Sequence, residues 1–390
     1  MIQRTFVVVI MGLAVVVAAC GAPSHHAAEA PLRVGVFEGS GASQDCVVET
    51  FEALRIDPDI RPRLVDAPQI ALGALKDLDV LVFPGGSGSA EYINLGSSLR
   101  EKIRAFVIQE GRGVVGICAG AYLVSDTDSY PCLNLIGASA IDREHDERGS
   151  AVARVTFTED GLSLFPEMKD REAGYVQYHD GPIFVPSNGE GRPLYRELAI
   201  LRSDICQGAG APAGLTPGKP FFLCQRQGRG RVFASVGHPE STTGMRWMVP
   251  RMVRWAAGRK HSAYPSGVVR PEYTEREIMH VDSLERQAFW KLCEDDPETV
   301  LGALRFLADG RYRNGFRWAK GLLRHTAPEV RLRAAEHIVD SEYTAALPDI
   351  EAAVRIEKNA PTRRELYRCR ERLEGLRAPV HGLRRRPGSS

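Results

Sequence analysis

The sequence has 390 residues, of which 44% are hydrophobic and 25% charged, with 38 Gly, 24 Pro and 8 Cys. These values exclude wholly disordered, collagen-like and disulfide-scaffold chains. The net charge of +1 gives no global field that would attract a polyanion, so no nucleic-acid partner is expected. At roughly 150 residues per domain, the length predicts two or three domains.

The first twenty residues have the pattern of a bacterial lipoprotein signal. Arg4 precedes an apolar run at 6–19, which is short for a membrane span but suits the core of a signal peptide. Small residues and then Cys20 end this run, so we expect cleavage before Cys20 and acylation of its thiol. Several acyl chains would then anchor the protein in a membrane of the cell envelope, facing the periplasm. The alternative is an ordinary secretory signal that is cleaved elsewhere.

Export would place the remaining cysteines in an oxidising compartment. Seven cysteines follow Cys20, and an odd number leaves at least one free. Cys206 with Cys224 is a plausible disulfide, and Cys46 with Cys132 is a weaker candidate, although connectivity cannot be deduced from sequence. No CxxC motif or Cys/His cluster has metal-ligand spacing, so neither a metal nor a cofactor is expected.

Strands and helices alternate in the first half of the folded chain. Periodicity predicts strands at 32–37, 79–83 and 113–117 and helices at 47–54 and 99–110. This alternation is typical of a parallel sheet covered by helices on both faces. Ligands of such folds bind at the carboxyl ends of the strands.

Cys118 stands at the end of the third predicted strand, within the segment GICAGAY at 116–122. Small residues on both sides of a cysteine at a strand-to-helix junction are typical of a nucleophile elbow, whose sharp turn excludes bulky neighbours. The helix that follows directs its amino end at the sulfur and favours the thiolate. The alternative is a structural cysteine packed beside glycines.

The segment GRVFASVGHPE at 230–240 adds a candidate base. His238 and Glu240 lie just beyond a predicted strand at 232–236, and residues two apart in extended chain point the same way. The carboxylate can therefore hold the imidazole while the other ring nitrogen faces a sulfur. Together with the elbow 120 residues upstream, this pattern predicts a Cys, His, Glu triad.

Three motifs support a family resemblance. PGG at 84–86, GICAGAY and GHPE at 237–240 occur in the order seen in class I glutamine amidotransferase-like domains, which have a flavodoxin-like α/β fold. With the stretch EAGYVQYHDGPIF at 172–184, the chain is most similar to the amidotransferase-like N-terminal domain of biotin-protein ligases. The resemblance covers about 32–259.

The resemblance also implies roles for individual residues. Cys118 would be the nucleophile, His238 the general base and Glu240 the residue that orients it. The backbone amides of Gly86 and Ala119 would form the oxyanion hole, since an acyl-transfer oxyanion needs two donors.

The sequence departs from true glutamine amidotransferases, whose elbow is GxCxGxQ. Ala119, Ala121 and Tyr122 occupy the variable and Gln positions, so glutamine-dependent synthesis is not expected. The favoured function is hydrolysis of an amide or related acyl bond, in a small molecule or peptide, through a thioester at Cys118. The alternative is a binding or scaffold protein without turnover. In the family-like stretch, His179 is either a second acid or base or an exposed polar residue of a β-ribbon; the latter is favoured because the triad already supplies a base.

Helical periodicity dominates the C-terminal part. Pro297, Pro328 and Pro361 each open a predicted helix, with spacings of 31 and 33 residues, and proline suits a first helical turn. Further helices are predicted at 314–325 and 347–357. This period is typical of an α-solenoid that presents one face to a protein partner. The segment at 328–340 resembles a HEAT repeat, with TPR-like packing or a plain helical bundle as alternatives.

The predicted organisation therefore has an α/β domain followed by an all-α HEAT-like domain. Its segments are a signal peptide at 1–19, a tether at 20–31, an amidotransferase-like domain at 32–258, a linker at 259–275, helical repeats at 276–376 and a disordered tail at 377–390.

Overall fold

The computed structural model describes residues 30–377 except 190–193, 209, 280–281 and 312–314. The predicted signal peptide, Cys20, nearly all of the tether and the tail beyond 377 lie outside the described residues. Within the described part of the chain, no helix has both the length and the apolar character needed to cross a membrane.

Twelve strands are present in the described residues. They are β1 (Leu32–Phe37), β2 (Ile60–Val65), β3 (Val80–Phe83), β4 (Gly113–Ile117), β5 (Ala138–Ile141), β6 (Ser150–Phe157), β7 (Gly174–His179), β8 (Ile183–Pro186), β9 (Arg196–Leu201), β10 (Pro220–Gln227), β11 (Gly230–Ser235) and β12 (Ile278–Met279).

Twelve α-helices are present in the same residues. They are α1 (Gln44–Leu54), α2 (Ala67–Ala71), α3 (Gly88–Ile108), α4 (Ala119–Val124), α5 (Glu159–Leu164), α6 (Met248–Ala256), α7 (Asp282–Lys291), α8 (Pro297–Gly310), α9 (Gly315–Leu322), α10 (Pro328–Asp340), α11 (Leu347–Ile356) and α12 (Ala360–Glu374).

A parallel sheet forms the centre of the α/β part, in the order β2, β1, β3, β4, β11. Strands β3 and β4 are apolar or glycine at every position and wholly buried, as expected for parallel strands with both faces covered. Helix α1 packs against β1 and β2, and helices α3 and α6 pack against β4 and β11. The predicted strands and helices of this region are confirmed. Helix α3 is kinked at Gly96, which has φ 60° and ψ 171°, and the part after the kink corresponds to the predicted helix at 99–110.

The predicted parallel sheet is present from β2 to β11, and beyond β11 the sheet becomes antiparallel, so the whole sheet is mixed. Beyond β11 the sheet continues through β10, β9, β6 and β12, in that order, and each of these pairs is antiparallel. Strand β7 is also antiparallel to β6 and pairs mainly with the part of β6 that β9 does not contact. The connection of β10 to β11 is a tight turn at Gly228 and Arg229. A parallel pair needs a crossover of about a dozen residues or more, whereas two residues suffice for a hairpin.

The C-terminal part is helical, as the sequence predicts. Helix α8 begins at Pro297 after Asp296, whose carboxylate accepts a hydrogen bond from the Thr299 amide at 2.9 Å. Helix α10 begins at Pro328, and α12 has Pro361 in its first turn. All three prolines therefore open helices. Helix α10 packs against α8, α9 and α12.

Buried polar contacts join the helical part to the α/β part, and the described residues from Pro31 onward form one compact unit. The Glu342 carboxylate accepts from the Gly244 amide at 3.0 Å and pairs with Arg270. In α1, Glu52 accepts from the Thr344 hydroxyl at 2.7 Å and pairs with Arg377 at 2.9 Å. Buried charges are tolerated only with such partners.

The Glu52 contact predicts an acid-sensitive attachment. Burial by itself would raise the pKa of Glu52, but Arg377 and the Thr344 hydroxyl outweigh it and lower the pKa. A lowered pKa stabilises the fold above the unfolded value of about 4.3, and that stabilisation is lost as the pH falls through the folded pKa. Glu52→Gln should therefore cost about 1–3 kcal/mol at pH 7.

Denaturant unfolding of both proteins at pH 7 and pH 3.5 measures this effect. The difference between wild type and Glu52→Gln should shrink at the lower pH, and a difference independent of pH would contradict the assignment. Glu101→Gln is the matched control, because the Glu101 side chain is 78% exposed and should be neutral.

Candidate active site

The turn at Cys118 has the geometry of a nucleophile elbow. Strand β4 ends at Ile117, Cys118 has φ 52° and ψ −104°, and α4 begins at the next residue. The amides of Ala121 and Tyr122 donate to the Cys118 carbonyl at 2.9 and 3.1 Å, and the Cys118 amide donates to the Ser235 carbonyl at 2.8 Å. A non-glycine residue at such a φ costs about 1–3 kcal/mol, and the surrounding contacts hold it there.

The glycines on either side are required by close backbone contacts. A Cβ on Gly120 would lie 2.1 Å from the Phe83 carbonyl oxygen, and one on Gly116 would lie 2.3 Å from the Gly120 carbonyl oxygen. Helix α4 therefore starts directly against β3 and β4 with no room for side chains. The small residues that predicted the elbow have this packing as their cause.

His238 and Glu240 form a buried pair after β11. The Nδ1 atom of His238 and Oε1 of Glu240 are 2.6 Å apart, and both side chains are almost wholly buried. The His238 amide donates to the Gln177 carbonyl at 2.7 Å, which fixes the backbone beneath the ring. A carboxylate at Nδ1 orients the imidazole and stabilises its protonated form.

Four of the predicted site residues line one cavity of about 390 Å³ at the carboxyl ends of β3 and β4: Cys118, His238, Gly86 and Ala119. Glu240 does not line it, and lies behind His238. Gly86 has φ 152°, and a Cβ there would lie 2.1 Å from the Gly41 carbonyl oxygen. Four of the five residues predicted for catalysis and the oxyanion hole thus share one cavity.

His179 stands at the end of β7 and also lines this cavity. Its side chain is half exposed, as the sequence predicts, and its ring contacts Ser150 Oγ and lies 3.6 Å from Asp180. Its backbone has an unexpected role, because the Cys118 thiol donates to the His179 carbonyl oxygen at 3.3 Å. Only the protonated thiol can make this hydrogen bond.

Cys46 is a second thiol in the cavity that sequence reasoning did not place there. It lies in the first turn of α1, and a Cβ on Gly85 would be 2.8 Å both from its sulfur and from Cε1 of His238. Ligand atoms of Cys46, His238 and Glu240 lie within 4.8 Å of one another, so these three could hold a metal ion such as zinc. One feature of the sequence could have placed Cys46 there. Helix α1 follows β1, and the carboxyl end of β1 is next to that of β3.

The two disulfides considered from the sequence are wrong, because Cys132, Cys206 and Cys224 are all free thiols. Cys224 lies inside β10, where its nearest polar partner is Arg196 and burial raises the pKa of its thiol to about 11. Spacing along the chain did not reveal that these thiols sit in separate parts of the fold.

Charged side chains surround the mouth of the cavity. Arg143, Asp146, Glu147 and Asp180 line it. Burial raises the pKa of Asp180, and the neighbouring acids add to this effect although His179 and the Gly149 amide oppose it. The cavity therefore offers both a cation and carboxylates to a polar substrate.

Arg148 is buried close to this site and was also missed. Its Nη2 donates to Asp142 at 3.1 Å. Burial, followed by the charge of Cys118, raises the pKa of Tyr122 well above its usual value, and Arg148 opposes this rise. The guanidinium thus acts electrostatically on the residues around the thiol.

Comparison with known proteins supports part of the predicted resemblance. Residues 32–133 match the family model described as "Biotin-protein ligase, N terminal", which confirms the resemblance to that domain over this segment. The matched segment includes the elbow and ends before β5. A comparison with curated proteins finds no match.

Among solved structures, the chain is similar to a β-galactosidase from Bacillus circulans sp. alkalophilus, at 14% identity and a TM-score of 0.36, over 59% of this chain and 31% of that one. It is also similar to Agd3, a carbohydrate deacetylase, at 14% identity and a TM-score of 0.38, over 58% of this chain and 32% of that one. A third similar structure is the cytoplasmic protein STM1381 from Salmonella typhimurium LT2, at 11% identity and a TM-score of 0.37, over 58% of this chain and 98% of that one. The match spans about a third of the first two structures, and similarity this low assigns no activity.

Alanine substitutions at a glycine of the elbow and at an exposed helical glycine should have opposite effects on stability. Gly120→Ala should lower the free energy of unfolding by about 1–3 kcal/mol, because its methyl group would clash with the Phe83 carbonyl. Gly302→Ala in α8 should raise stability by about 0.5–1 kcal/mol, because no atom lies within 4 Å of the added Cβ. Denaturant unfolding measures both. Equal stability of Gly120→Ala and wild type would contradict the close contact.

Proposed function

We propose that this protein is a membrane-anchored lipoprotein facing the periplasm, whose α/β domain hydrolyses amide or related acyl bonds with Cys118, His238 and Glu240. The supporting observation is that Cys118, on a strained turn, lines the same cavity as His238, which Glu240 holds at 2.6 Å. The proposal includes a class I glutamine amidotransferase-like domain of flavodoxin type and a HEAT-like arrangement of the C-terminal helices.

In this mechanism His238 accepts the thiol proton and the Cys118 sulfur attacks the substrate carbonyl carbon. The new C–S bond places negative charge on the carbonyl oxygen, which the amides of Gly86 and Ala119 would stabilise. The C–N bond then breaks as His238 returns the proton to the leaving amine. Water activated by His238 attacks the thioester and releases a carboxylic acid and the thiol.

The hydrogen bond from the Cys118 thiol to the His179 carbonyl oxygen must break before the sulfur ionises. This bond requires the proton that His238 has to remove. Cys118 is also only 6% exposed. Ionisation therefore requires this hydrogen bond to break, since a thiolate cannot donate.

The same observation favours a second candidate function, a binding or scaffold lipoprotein without turnover. A buried thiol that donates to a backbone carbonyl contributes to the architecture of the cavity. The cavity would then bind a ligand, and the helical repeats a protein partner.

Thiol labelling distinguishes the two functions. Iodoacetamide should modify Cys118 faster than the exposed Cys293, and His238→Ala should slow modification of Cys118 by tenfold or more, because it removes the base. Rates must be measured for each peptide by mass spectrometry, since Cys46 lies in the same cavity. Glu240→Gln should have a smaller effect in the same direction.

His261→Ala is the matched control and should leave the Cys118 rate unchanged, because His261 is exposed and does not line the cavity. If Cys118 reacts more slowly than Cys293, at equal rates in wild type and His238→Ala, hydrolysis is excluded and the binding function is favoured.

The lipid anchor has an independent test. In bacteria fed an alkyne analogue of palmitate, the wild-type protein should be labelled and recovered with the membranes, whereas Cys20→Ser should be neither. Cys293→Ser serves as the control and should behave as wild type. Labelling that persists in Cys20→Ser would refute anchoring at this residue.

A further inference from the structure

A second cavity, of about 400 Å³, lies where the helical part meets the α/β part. It shares no lining residue with the cavity of Cys118. Gln177 and Ser241 line it from the α/β part, and Tyr273, Arg311 and His337 contribute from the C-terminal part. Its volume is within the range of small-molecule sites, roughly 300–1,000 Å³.

Three arginines line this cavity: Arg276, Arg311 and Arg333. The guanidinium of Arg311 lies 4.7 Å from the centre of the Tyr273 ring, and its buried Nη1 has no hydrogen-bond partner among the described residues. Burial is the main cause that lowers the pKa of Arg311, and the charge of Arg276 adds to it. Two guanidinium groups therefore act on each other here.

The carboxylates of the cavity balance only part of this charge. Asp340 lines it but pairs with Arg372 on α12 at 3.2 Å. Asp309 lines it as well, and its backbone carbonyl accepts from Arg276. Among the lining residues, three arginines and two acids leave a formal charge of +1, and Arg333 also pairs with Glu336, which is outside the lining, at 3.3 Å.

His337 supplies a separate indication of a ligand. It is 1% exposed, and neither of its ring nitrogens has a hydrogen-bond partner within the described part of the chain. Burial, with a contribution from Arg333, lowers its pKa to about 4, so the ring is neutral at pH 7 and has one donor and one acceptor. Two further atoms, Oε1 of Gln177 and Nε of Arg333, have no hydrogen-bond partner among the residues that the structure describes. Buried polar groups without partners are costly and mark a place where a polar ligand would be stabilised.

We infer that this cavity binds a small organic anion with a carboxylate or phosphate group. Guanidinium groups match the geometry of these oxyanions through paired N–H donors. His337 and Gln177 are placed to hydrogen-bond a neutral polar part of the ligand, and Tyr273 and Phe316 add aromatic lining to the cavity. The site does not depend on whether Cys118 is catalytic.

Calorimetric titration of the full chain with inorganic phosphate, and separately with succinate, tests the inference. At least one of the two should bind saturably at one site per chain, and the tighter one identifies the head group. Arg311→Met and Arg333→Met should each weaken that binding by about tenfold or more, because each removes a charged donor.

Arg324→Gln is the control: Arg324 is exposed, follows α9 and does not line the cavity, so binding should be unchanged. If the more buried arginine variants unfold, Arg276→Gln, at an exposed position, should still weaken binding. No saturable binding of either anion, or unchanged binding in the folded arginine variants, would overturn the inference.

Discussion

The close approach of Gly120 to the Phe83 carbonyl is the constraint on which the site depends. Because 2.1 Å separates a hypothetical Cβ from that oxygen, α4 can begin directly after β4 only with glycine there. The chain must then turn at Cys118 with a positive φ. Parallel strands align their carboxyl ends, so the same edge also receives the loop of Gly86 from β3 and His238 beyond β11.

The antiparallel extension of the sheet connects the two cavities. Strand β7 brings Gln177 against His238, where the His238 amide donates to the Gln177 carbonyl at 2.7 Å. The Gln177 side chain lies on the other cavity and donates to the Arg311 carbonyl at 3.0 Å. One residue therefore supports the proposed base with its backbone and the arginine-lined cavity with its side chain. Helical and α/β parts meet at this residue.

Features encoded within a short segment were predictable from the sequence. The elbow at 116–122, the His238–Glu240 spacing and the prolines that open helices each follow from local geometry. Cys46 and the His179 carbonyl reach Cys118's cavity only through tertiary packing, over 72 and 61 residues of chain, so no local pattern marks them. The antiparallel extension was missed because a strand's apolar pattern does not state its direction. Cysteine spacing failed to predict the disulfides because spacing along the chain does not show which cysteines meet in the fold.

Two buried pairs differ in what they join, and the difference fits the proposed role of His238 as a general base. Arg254 binds Asp57 through two nitrogens, at 2.5 and 2.8 Å, and so joins α6 to the turn before β2 across 197 residues. His238 and Glu240 are two residues apart, so their pair closes no long loop and links no distant elements. Burying both groups still carries a desolvation cost that a pair of apolar side chains would avoid. What the carboxylate does achieve is to fix the orientation of an imidazole at the cavity that Cys118 lines, which is the requirement of a general base.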